Sequence, residues 1–83
     1  MVKLGWKKQA RSAFDKLDTS IRRRIMDKLQ EIAKNAEQYP HRALRGSLAG
    51  NFRFRIGVYR VMYTYKNGLL IVQKIQRRDK GYG

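Results

Sequence analysis

The chain has 83 residues, of which 42% are hydrophobic, with 20 Lys and Arg against six Asp and Glu, a formal net charge of +14. That length holds one core and leaves no material for a second, so residues 1–83 read as a single domain. Confining so much like charge in one compact fold is self-repulsive, and the excess implies an anionic partner. With no cysteine, neither a disulfide nor a thiolate zinc site is available, and a reducing compartment is compatible. The first residues carry Lys3, Lys7 and Lys8 without an apolar run long enough for a signal peptide, and nothing approaches a membrane span. A cytoplasmic location is expected.

Val2, Leu4 and Trp6 alternate with Lys3 and Gly5, the pattern of a short first strand. From Lys7 to Leu17 the apolar residues Ala10, Ala13, Phe14 and Leu17 fall on one helical face. Asp18, Thr19 and Ser20 interrupt that pattern with three side chains suited to capping the amides of a new helix. The new helix carries a stripe of Ile21, Ile25, Leu29, Ile32, Ala33 and Ala36, and Pro40 sets its latest end. So short a connection makes the two helices an antiparallel hairpin.

From Pro40 to Asn51, with Gly46, Ser47 and Gly50, neither period is present and a loop is expected. Phe52, Phe54 and Ile56 then alternate with Arg53 and Arg55, a half-buried strand with a cationic face. Gly57 permits a turn or bulge before a second strand, Tyr59 to Tyr65. Asn67-Gly68 predicts a type I′ hairpin, because both central residues of that turn need positive φ, and Leu69 to Ile75 returns antiparallel. The expected fold is α+β: an N-terminal strand and a helix hairpin packed on one face of a mainly antiparallel four-stranded sheet.

The charge is uneven. Met1 to Glu37 holds ten basic and five acidic residues, whereas Gln38 to Gly83 holds ten basic residues and only Asp79. Arg53 and Arg55 leave one face of a strand because residues i and i+2 do, and Arg60 can share that face from the next strand. Taken singly, each could be a solvated sheet arginine. Taken with Arg42, Arg45, Arg77, Arg78 and Lys80 and almost no acid, they suit a phosphodiester backbone, whose oxygens match the guanidinium fork. No helix pairs a basic face with an aromatic one, which argues against a membrane surface.

Metal-assisted hydrolysis needs clustered carboxylates or histidines, and the sheet half has one Asp; neither metal nor cofactor is expected. Ser12, Ser20 and Ser47 lie in no nucleophile motif. His41, beside Pro40, reads as an exposed loop residue rather than a catalytic one. Tyr59, Tyr63 and Tyr65 alternate on one strand face and read as core or half-buried, as do Trp6 and Phe14. Tyr82, in a charged tail, is the better candidate for stacking on a base or moving a proton.

Ala43-Leu44-Arg45-Gly46, the run Asn51-Phe52-Arg53-Phe54-Arg55-Ile56-Gly57-Val58-Tyr59-Arg60-Val61-Met62-Tyr63, and the ending Arg77-Arg78-Asp79-Lys80-Gly81-Tyr82 resemble the signature of the RelE/ParE toxin superfamily. The likeness in layout covers essentially the whole chain. It implies a RelE-like fold and the toxin of a type II toxin–antitoxin pair. RelE-like members cut mRNA in the ribosomal A site, whereas ParE-like members inhibit DNA gyrase. Carried over residue by residue, the resemblance assigns Arg45, Arg53, Arg55, Arg60, Arg78 and Tyr82 to catalysis; Arg42, Lys74, Arg77 and Lys80 are expected as further RNA contacts on their charge. The retained array favours a ribosome-dependent endoribonuclease that uses the RNA's own 2′-OH and no metal. The alternatives are a gyrase-inhibiting protein binder and a non-catalytic RNA- or ribosome-binding domain. The implied partners are the 30S A site, mRNA and an acidic, RelB-like antitoxin. Val58 stands where many members have Asp or Asn, and Arg77 where many have His. Arg53 and Arg55 stand where RelE has lysines, and an arginine does not serve as a general base.

Overall fold

A computed structural model describes residues 2–39, 41–43 and 51–77. Strand β1, Lys3–Trp6, leads into helix α1, Lys8–Asp15, and helix α2, Thr19–Lys34. Strand β2, Arg42–Ala43, is followed by β3, Asn51–Ile56, β4, Tyr59–Lys66, and β5, Leu69–Arg77. The strands form one sheet in the order β1-β5-β4-β3-β2. β1 runs parallel to β5, and every other pairing is antiparallel. The two-residue β2 lies in the stretch that lacks any period in sequence. It forms because the backbones of Arg42 and Ala43 find partners in Arg53 and Phe52, a long-range pairing that no local pattern announces.

Alternation along the strands decides which face is buried. Ile56, Val61, Tyr63, Leu70 and Val72 pack with Ala10, Phe14, Ile25, Leu29 and Ile32 into the core, so both helices cover this face. Trp6 meets Phe14 with ring centroids 4.8 Å apart, beneath the Arg11 guanidinium.

Both tight turns rest on positive φ. Asn67 at 51° and Gly68 at 77° close the β4–β5 hairpin as the sequence predicts. Gly57, at 58°, opens the two-residue turn between Ile56 and Tyr59, and Val58 does not share its sign, the pattern of a II′ turn with glycine first. The start of α2 departs from expectation. Asp18 is the N-cap residue but its side chain caps no amide; the carboxylate accepts instead from the Ser20 hydroxyl at 3.0 Å. No helix among the described residues is long and apolar enough to cross a membrane.

Candidate nucleic-acid interface

The strand register gathers three arginines on the sheet face that the helices leave uncovered. Phe52, Phe54 and Ile56 turn toward the core, so Arg53 and Arg55 turn away from it. Arg55 is paired directly with Arg60 across β3 and β4, and Arg53 with Met62. Directly opposed residues share a face. Arg53, Arg55 and Arg60, with Phe54, line an open concavity of about 160 Å³. Lys74, opposite Met62, extends the cationic surface onto β5.

Like charges set directly opposite each other destabilise a sheet unless something neutralises them. Among the described residues the ion pairs are Arg11–Asp15 at 3.1 Å and Lys28–Glu31 at 3.7 Å, each within one helix. Among the described residues no acid pairs with Arg53, Arg55, Arg60 or Lys74. The site is therefore a patch of uncompensated cations, able to bind an anion through forked N–H donors but carrying no proton acceptor of its own among these residues. No group of three or more His, Asp or Glu that could hold a metal is present among the described residues.

The remaining candidates separate. The backbone of Arg42 pairs with Arg53 at the sheet edge. Arg77 pairs with Tyr59, the parity of the helix-covered face, and its guanidinium lies 5.9 Å from the Tyr59 ring; it does not join the cradle. Arg45, Arg78, Lys80 and Tyr82 lie outside the described residues.

His41 corrects the expectation of an exposed loop residue. It is half-buried, with Nδ1 2.8 Å from the Tyr63 hydroxyl and Nε2 2.8 Å from the Ala36 carbonyl oxygen. A carbonyl only accepts, so Nε2 carries the proton and Nδ1 accepts from Tyr63. The ring stacks on Phe52 at 4.7 Å and on Tyr65 at 5.5 Å. His41 thus ties the chain beyond α2 to β4, and both its nitrogens are occupied. Burial, reinforced by Tyr39, pushes the Tyr63 phenol well above its usual range. Tyr65 donates to Glu37 at 2.6 Å, and that bond raises its own pKa, with desolvation and the carboxylate's charge adding to the effect. The turn after α2, where the Ala36 carbonyl needs a donor, and the aromatics at 52, 63 and 65 are the signals that locate this cluster.

Against this geometry, the family profile described as the ParE toxin of the type II toxin–antitoxin system, parDE, matches residues 4–82. The chain belongs to this family. It is a member of the RelE/ParE superfamily of type II toxins, as the sequence resemblance implies. A search of curated proteins finds no match. Among solved structures, the isolated Escherichia coli RelE toxin matches with a TM-score of 0.81 and 18% identity, over 93% of this chain and 84% of that one. The toxin–antitoxin complex RelBE from the same organism gives 0.79 and 18%, over 93% and 96%. The RelB–RelE complex of Methanococcus jannaschii gives 0.73 and 18%, over 94% of each. At these identities the likeness establishes a RelE-like fold for this ParE-family chain.

Proposed function

We propose that this toxin is a ribosome-dependent mRNA endonuclease of the RelE kind, acting in the cytoplasm and held inactive by an acidic antitoxin. The observation that carries the reading is the opposition of Arg55 and Arg60 around a concavity shared with Arg53, with no acid among the described residues to neutralise them. Such a cradle stabilises the charge that grows on phosphate as the 2′-OH attacks phosphorus and the P–O5′ bond breaks, commonly the largest catalytic term. The products are a 2′,3′-cyclic phosphate and a 5′-hydroxyl. Arg45 and Arg78 join the cradle in this reading, Arg42, Lys74 and Lys80 contact the strand, Arg77 on the opposite parity can meet it only at the sheet's end, and Tyr82 orients a base or assists the proton. The cradle offers no proton acceptor, which makes the isolated protein a feeble nuclease and gives the ribosome the task of positioning the strand. An antitoxin partner is supported by relatives solved as RelB–RelE complexes, and acidity by the +14 charge.

A second reading, gyrase inhibition by protein binding, is favoured by the ParE name of the matching family. Brief induction in cells, with message 5′ ends mapped alongside plasmid supercoiling, separates the two. In-frame cuts within translated messages are expected; loss of supercoiling with intact messages would replace the first reading by the second.

A further inference from the structure

Beside the arginine cradle, on the same sheet face, lies a second and larger cavity of about 400 Å³, whose lining includes Gln9, Asn51, Met62, Thr64, Gln73 and Lys74. Its volume falls within the range of about 300–1,000 Å³ typical of small-molecule sites. Its chemistry differs from the cradle's: the lining holds three carboxamides, the Thr64 hydroxyl, the Met62 thioether, Tyr63 and one cation, with no acid among these residues.

A β-bulge lies in the wall of this cavity. Met62 pairs with Lys74 and Tyr63 with Val72, so Gln73 is the extra residue of β5, with no partner in register. A bulge re-aims the side chain it carries. Here Gln73 Nε2 donates to Thr64 Oγ1 at 3.1 Å, which fixes the plane of the amide while its Oε1 accepts no hydrogen bond among the described residues. From the other side Gln9, in the first turn of α1, donates to the Gln73 carbonyl at 3.4 Å. β1 ends at Trp6, opposite Val72, so Gln9 takes over the edge of β5 where β1 leaves it. The cavity is thus held by α1, β4 and β5 together.

We infer that this cavity is a nucleobase subsite, that it receives the base next to the phosphate held by Arg53, Arg55 and Arg60, and that Gln73 is its specificity-determining residue. The inference rests on the RNA reading above and deepens it. A carboxamide presents a donor and an acceptor side by side, the complement of a base edge, and unstacked bases of single-stranded RNA are read in this way. Met62 supplies a polarisable surface under the base. Arg60, Met62 and Thr64 follow one another on one face of β4 at steps of about 7 Å, a spacing comparable to one nucleotide. The strand accordingly runs from the cradle along β4 toward Thr64, and Lys74 meets its backbone.

The test uses the full chain and four homopolymeric RNA pentamers, with an abasic pentamer as the reference. Base-bearing RNA should bind at least about tenfold tighter than abasic RNA for a fully read base, and the four bases should rank unequally. Gln73→Leu, which keeps the side chain's bulk, should flatten that ranking, while Arg60→Ala weakens base-bearing and abasic RNA alike. The side-chain amide resonances of Gln9 and Gln73 in the unsubstituted protein should shift with base-bearing RNA and stay fixed with abasic RNA, a readout independent of whether any variant folds. Equal affinities across the series with unmoved amides overturn the subsite, even if messages are cut in frame in cells. Unequal affinities that Gln73→Leu flattens uphold it, even if no cutting occurs, in which case the nuclease reading is the one that falls.

Discussion

The two faces of the sheet are built from the same strands, yet they carry opposite kinds of residue. Phe52, Phe54, Ile56, Val61 and Tyr63 lie under the helices, while Arg53, Arg55, Arg60 and Met62, their immediate chain neighbours, lie on the uncovered side. A one-residue slip in register would exchange the two sets, so burial of one face dictates the composition of the other. The helices show that cations in this protein need not be uncompensated: Arg11 and Lys28 have acidic partners at helical spacing. Arg53, Arg55 and Arg60 have none among the described residues. The contrast separates charge paired within a helix from charge that no described acid neutralises.

Substitutions on the two faces should therefore fail in different ways. Leu29→Ala, at a fully buried position, should lower unfolding free energy by about 2–5 kcal/mol, measured by denaturant titration, and reduce toxicity only through loss of folded protein. Arg60→Ala should slow cutting by about 10²–10³-fold, the loss typical when one donor to a transition-state charge is removed. Its melting temperature should match or exceed the parent's, because a like-charge pair is relieved. A strongly destabilised Arg60→Ala protein would mean that the arginine supports the fold.

Smaller effects sharpen the same division. His41→Ala leaves the Tyr63 hydroxyl buried without its acceptor and should destabilise by about 1–3 kcal/mol, while cutting per folded molecule stays close to the parent's. A catalytic loss far beyond the stability loss would place His41 in the chemistry. Tyr63 ionises at higher pH in the folded chain than in the unfolded one. Its contribution is therefore complete below the free phenol's pKa of about 10 and lost as pH rises beyond it. Denaturation followed from pH 8 to 11 should show that alkaline loss, and Tyr63→Phe should show less of it. Arg11→Ala should matter least, at about 0–1 kcal/mol for an exposed pair, with its packing on Trp6 and Phe14 adding modestly.

The features legible in the sequence were those with a local period. Alternation around Arg53 and Arg55, the helical stripe from Ile21 and the Asn67-Gly68 turn each encode their structure within a few residues. The shared face of Arg55 and Arg60 followed from the same alternation once the turn at Gly57 was recognised. His41 was misread because its environment is assembled from a distance: Ala36 lies five residues away and Tyr63 twenty-two. The strand at Arg42–Ala43 and the bulge at Gln73 depend on the register of a partner strand, for which no single segment carries a signal.

The central claim is that the uncovered arginine face binds RNA at the reacting phosphate. Purified ribosomes carrying a defined message with an empty A site test it most directly, with the parental chain compared against the Arg55→Ala, Arg60→Ala double variant. The account predicts one cut within the A-site codon by the parent, leaving a 5′-hydroxyl on the downstream fragment, and a loss of at least about 100-fold in the double variant with its thermal unfolding unchanged or raised. Equal cutting by a folded double variant, or an intact message with the parent, would contradict it.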